Sequence, residues 1–93
     1  MNNSAFHILV VDDDDRIRDL VKQYLEENSF VVSTANDVPS AKKKISILKF
    51  DILIVDIMMP GESGLSLTKE VKKSNPTPII LLTAKGETKD RIK

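Results

Sequence analysis

Two short apolar runs, Ile8-Leu9-Val10-Val11 and Ile52-Leu53-Ile54-Val55, each end directly in aspartate, at Asp12-Asp13 and at Asp56. A run without polar interruption fits a strand covered on both faces, as in a parallel sheet sandwiched between helices. Between and after these runs the period changes to a helical one. Ile17, Leu20, Val21, Tyr24 and Leu25 recur at helical spacing, behind an acidic start in which Asp14 or Asp15 is placed to cap. Asn28-Ser29 marks the stop, and Phe30 to Ala35 reads as a second strand. Asn36-Asp37 opens a second helix with Pro39 in its first turn and Val38, Ala41, Ile45 and Leu48 as its apolar stripe. A third helix runs from about Gly64, with Leu67 and Val71 one turn apart, and stops before Asn75-Pro76. Ile79 to Leu82 is the fourth strand, and Glu87 to Lys93 reads as the opening of a fourth helix.

The order βαβαβαβ predicts an α/β fold: a doubly wound parallel sheet with right-handed crossovers and helices on both faces. At 93 residues the chain is one domain at most. Lys plus Arg and Asp plus Glu both number 14, so the formal net charge is zero and bulk charge gives no reason to expect direct nucleic-acid binding. There is no cysteine, which excludes disulfides, thiol catalysis and cysteine-held metals. The first run is too short for a signal peptide or a membrane span, so a cytoplasmic location without membrane contact is expected.

In open α/β sheets, ligands bind beyond the carboxyl ends of the strands where the strand order reverses. The first and third strands are the natural pair to flank that point. Asp12, Asp13 and Asp56 would then converge, and three clustered carboxylates repel one another until a divalent cation relieves them. Mg²⁺ fits an all-oxygen set that keeps waters for a phosphate to replace. Thr83 closes the fourth strand on the same edge, where its hydroxyl can donate to a phosphoryl oxygen. Met58 and Met59 read as core or turn residues whose backbone carbonyls can reach a metal. His7, at the opposite end of the sheet, and the run Lys42 to Lys44 read as solvated surface.

Three fragments together resemble the receiver domain of two-component response regulators. They are Ile8-Leu9-Val10-Val11-Asp12-Asp13, then Asp51 to Asp56 with Met59-Pro60-Gly61 and Gly64, and Pro78 to Ala84. The resemblance implies a flavodoxin-like sheet with strand order 2-1-3-4 here, from the family's 2-1-3-4-5. It implies that Asp56 accepts a phosphoryl group from a sensor histidine kinase. Asp13 would ligate Mg²⁺ directly, with Asp12 supporting it directly or through water. Asp56 and the Met58 carbonyl would complete the protein ligands. Thr83 matches the family's switch hydroxyl and Ala84 the small residue beside it.

Set against the family, residues 1–93 correspond to its N-terminal portion, from the first strand to the start of the fourth helix. No residue matches the lysine that the family places at the end of a fifth strand. The expectation is therefore impaired phosphoryl signalling with metal binding better retained. The fourth strand becomes an edge, and self-association through it is expected. No conventional enzyme is implied, only self-catalysed phosphotransfer and dephosphorylation. The alternative is a non-switching Mg²⁺-binding interaction module derived from a receiver. A phosphatase of the haloacid dehalogenase type, suggested by Asp12-x-Asp14, lacks its usual residue at Arg16.

Overall fold

A computed structural model describes residues 6–57, 64–74 and 77–82. Their elements are β1 (His7–Val11), α1 (Asp15–Glu27), β2 (Val31–Ala35), α2 (Val38–Ile47), β3 (Ile52–Asp56), α3 (Gly64–Ser74) and β4 (Ile79–Leu82). The strands form one parallel sheet in the order β2-β1-β3-β4. Both the alternation and the strand order match the sequence reading. The segment Glu87 to Lys93, read as a fourth helix, lies outside the described residues.

The core lies mainly between the sheet and the helices α2 and α3. Leu9, Val11, Leu53 and Val55 present one face of the two central strands to Val38, Ala41, Leu67 and Val71, and Phe50 closes the lower end. Leu9 is 0% exposed and Leu53 1% exposed. Burial of such a leucine contributes about 1.5–3 kcal/mol from surface removed from water. The opposite residues of the same strand, Ile8 and Val10, are also buried. That explains why β1 is apolar without alternation.

Local chemistry sets the helix boundaries. Asp14 caps α1: its Oδ1 accepts from the backbone N–H groups of Arg16 at 2.9 Å and Ile17 at 3.2 Å. Asp37 caps α2 by accepting from Ser40 N–H at 2.8 Å. At the other end of α1, Ser29 N–H donates to the Glu26 carbonyl and Phe30 N–H to the Leu25 carbonyl. This is a Schellman closure, and its left-handed position is held by Ser29 at φ 73° instead of glycine.

The apolar stripe of α1 is covered only in part: Leu20 is 66% and Tyr24 64% exposed. The helix packs mainly on β2 and β1. Ile17, Val21 and Leu25 form the half-buried ridge one turn apart, and the flanking ridge stays open. Leu48 does not extend the α2 stripe, because the backbone turns extended there (φ −117°, ψ 153°) and ends the helix. His7 is not free surface. It begins β1 half-buried, its Nε2 lies 2.9 Å from Ser33 Oγ, and its ring leans on Phe50 with centroids 4.5 Å apart.

Candidate metal and phosphoryl site

Strand register brings the acids together. Val11 pairs with Ala35 on one side and Val55 on the other, so the residues that follow, Asp12 and Asp56, leave neighbouring parallel strands at the same level. Asp56 still belongs to β3 and is aligned with Leu82 of β4. One carboxylate oxygen each from Asp12, Asp13 and Asp56 lies within 4.8 Å of the others. Asp12 is 2% and Asp56 1% exposed, whereas Asp13 is exposed. Two walls and an open rim result, with the rim supplied by Asp13.

The backbone around Asp12 is held on several sides. Its N–H donates to the Ala35 carbonyl at 3.1 Å, which continues the β1–β2 ladder by one residue. Its Oδ1 accepts from Asp14 N–H at 2.9 Å. Its carbonyl accepts from Arg18 Nη1 at 2.8 Å, and Arg18 Nη2 also pairs with Asp15. One turn of α1 thus fixes the loop that carries the acids. The run Asp12 to Asp15 has divided roles: the first two face the pocket, Asp14 caps the helix, and Asp15 pairs with Arg18.

On the β3 side the critical residue is Gly64. A Cβ placed on it would lie 2.4 Å from the Asp56 carbonyl oxygen, 2.8 Å from Val55 Cγ1 and 3.0 Å from Ile57 Cα. The first turn of α3 therefore sits directly against the strand end that carries Asp56, and only a residue without a side chain allows it. Ile57 N–H donates to the Leu82 carbonyl at 3.1 Å, which extends the β3–β4 ladder past Asp56. In the sequence Gly64 marks a helix start and part of a motif, whereas its close approach to β3 is a tertiary fact.

The donor set is three hard carboxylate oxygens around a common point, partly sheltered. That suits a small divalent cation with an oxygen shell, Mg²⁺ above all, and not a soft metal. Asp12, Asp13 and Asp56 are thus together, as the sequence indicated. Thr83 and Met58 lie outside the described residues, as do Ala84, Lys85 and Met59 to Gly61.

An open, doubly wound α/β sheet in the order β2-β1-β3-β4 defines a flavodoxin-like fold, with its acidic cluster at the carboxyl edge where the strand order reverses. The family model for the response regulator receiver domain matches residues 8–93, and the chain belongs to that family. It is 48% identical over 92 residues to protein PetR of Rhodobacter capsulatus, a match that covers 99% of this chain and 39% of PetR. It is 40% identical over 85 residues to the transcriptional regulatory protein ResD of Bacillus subtilis, covering 91% of this chain and 35% of ResD. The chain thus spans about two fifths or less of these relatives. Among solved structures, the Francisella response regulator 1452 receiver domain superposes with TM-score 0.79 at 37% identity, covering 92% of this chain and 72% of that one. The response regulator TrrA, solved in complex with the histidine kinase ThkA, gives TM-score 0.79 at 44% identity, covering 85% and 69%. None of the helices among the described residues is long and apolar enough to cross a membrane.

Proposed function

We propose that residues 1–93 form one receiver unit whose Asp56 accepts a phosphoryl group from a sensor histidine kinase in a Mg²⁺-dependent reaction. The observation that carries this reading is the convergence of Asp12, Asp13 and Asp56 within 4.8 Å at the carboxyl edge of β1 and β3. The family membership and the kinase complex of the 44%-identical TrrA support the choice of donor. A cytoplasmic location follows from that partner.

In this reading one oxygen of Asp56 attacks phosphorus, the bond from phosphorus to the donor nitrogen breaks, and an acyl phosphate forms on Asp56. Asp13, at the open rim, would ligate Mg²⁺, with Asp12 in the wall supporting it directly or through water, and Asp56 and the Met58 carbonyl would complete the protein ligands. The bound cation supplies neutralisation of the phosphoryl oxygens. The burial of Asp56 limits the directions from which a donor approaches and favours an in-line arrangement. Arg18 holds the Asp12 carbonyl and so positions the acidic loop without touching the reacting atoms. Thr83, which follows β4 in the sequence, would donate its hydroxyl to the new phosphoryl group as the family's switch residue. Self-association through the outer edge of β4 completes the proposal.

Amide NMR with Mg²⁺ and beryllium fluoride tests it. Shifts centred on Asp56 and Thr83 that vanish in Asp56→Asn are expected. Shifts near Asp13 with Mg²⁺ and no response to beryllium fluoride would instead mark a non-switching Mg²⁺-binding module.

A further inference from the structure

The zero net charge conceals a segregation of charge. The stretch from Asp12 to Glu27 carries seven acids and three basic residues, whereas α2 through Lys49 together with α3 carries seven lysines and one acid, Glu70. The fold sets α2 and α3 side by side on one face of the sheet. Lys42 Nζ meets Glu70 Oε1 at 2.8 Å across the two helices, so the single acid of the patch is already engaged. Lys43, Lys69, Lys72 and Lys73 are exposed. Lys44 points away, to the Thr34 carbonyl at the edge of β2. Asp51, just before β3, accepts from His7 N–H at 2.8 Å.

The same face is not uniformly polar. A groove of 310 Å³ runs between the end of α2 and α3, with Ile45, Leu48, Phe50, Leu53 and Val71 among its walls and Lys49 at its margin. Ile47 beside it is 70% exposed and Leu48 44% exposed. Apolar walls with Lys49 at their margin, set between two helices rich in exposed lysine, are complementary to a protein segment with an apolar anchor among acidic side chains. A nucleic-acid backbone has no use for the apolar slot, and these helices offer no arginine for bidentate contact with phosphate.

We propose that the α2–α3 face docks an acidic, amphipathic segment of a partner protein, separately from the Asp56 pocket. The probe is a short synthetic helix with leucines at i, i+3, i+4 and i+7 and glutamates elsewhere, titrated into the isotope-labelled chain and followed by amide NMR. A lysine-for-glutamate version of the peptide, a DNA duplex and vesicles of phosphatidylserine and phosphatidylcholine are the comparators. The expected result is saturable shifts at Ile45, Leu48 and Val71, weakened by added salt. The double variant Lys72→Glu/Lys73→Glu should weaken binding about tenfold, with the helical circular dichroism unchanged. Ile47→Ser, at an exposed site, should weaken it several-fold and serves if the double variant misfolds. An absence of shifts on this face overturns the proposal. So does equal or tighter binding of the lysine peptide, the duplex or the vesicles.

Discussion

Asp12 and Asp56 stand at the same level of two adjacent parallel strands, each directly after a member of the register pair Val11–Val55, and both are almost completely buried. Two carboxylates held this way repel each other at close range unless a cation or proton intervenes. Asp13 adds a third oxygen from the exposed rim. The acids of the pocket therefore differ from the helix-side acid Asp15. Asp13→Asn and Asp12→Asn should each weaken Mg²⁺ binding about tenfold or more, since a charged ligand becomes neutral at constant shape. Asp15→Asn, which changes a helix-side carboxylate paired with Arg18, should leave Mg²⁺ affinity nearly unchanged. Mg²⁺ titration followed by amide NMR measures all three.

Gly64 predicts a packing defect. A methyl group there would overlap the Asp56 carbonyl oxygen at 2.4 Å, and backbone atoms have little room to yield. Gly64→Ala should destabilise the chain by about 1–3 kcal/mol despite the better helix propensity of alanine. It should also disturb the amide signals of Asp56 and Ile57. Urea unfolding measures the first effect and an NMR spectrum the second.

Ser29 predicts the opposite sign. It occupies a left-handed position at φ 73°, where a Cβ is strained and glycine is not. Ser29→Gly should stabilise the chain by about 0.5–1 kcal/mol, the strain relieved less the extra freedom of the unfolded chain. Thermal unfolding of the pair of variants reads the difference.

How far the sequence specified this arrangement can be judged from particular residues. The apolar runs ending in Asp12 and Asp56 were enough to give the parallel sheet and the convergence of the acids at its edge, because full burial of a strand leaves a continuous signature. The division of labour within Asp12 to Asp15 was partly legible, since capping preference singles out Asp14 or Asp15. The role of Gly64 was hidden, as it depends on how closely α3 approaches β3. The exposure of Leu20 and Tyr24 was hidden for a related reason: a helical stripe reports amphipathicity but not how wide a surface is available to cover it. Lys42 to Lys44 read as a solvated run, and only the fold adds Lys69, Lys72 and Lys73 to the same face.

The edge of the sheet yields a further prediction. Among the described residues β4 pairs with β3 alone, and Ile80 is 48% and Leu81 40% exposed along it. An apolar strand edge templates pairing with another chain. The chain should show a concentration-dependent rise in mass by light scattering, and Ile80→Lys or Leu81→Lys should shift it towards the monomer. A strict monomer at high concentration would contradict this.

The most direct test of the account is mass spectrometry of the intact chain after incubation with a small phosphodonor, with and without Mg²⁺, followed by borohydride trapping of the acyl phosphate. The account predicts one phosphoryl group, dependent on Mg²⁺, mapped to Asp56 and absent from Asp56→Asn. Modification at another residue, or equal labelling of Asp56→Asn, would contradict it.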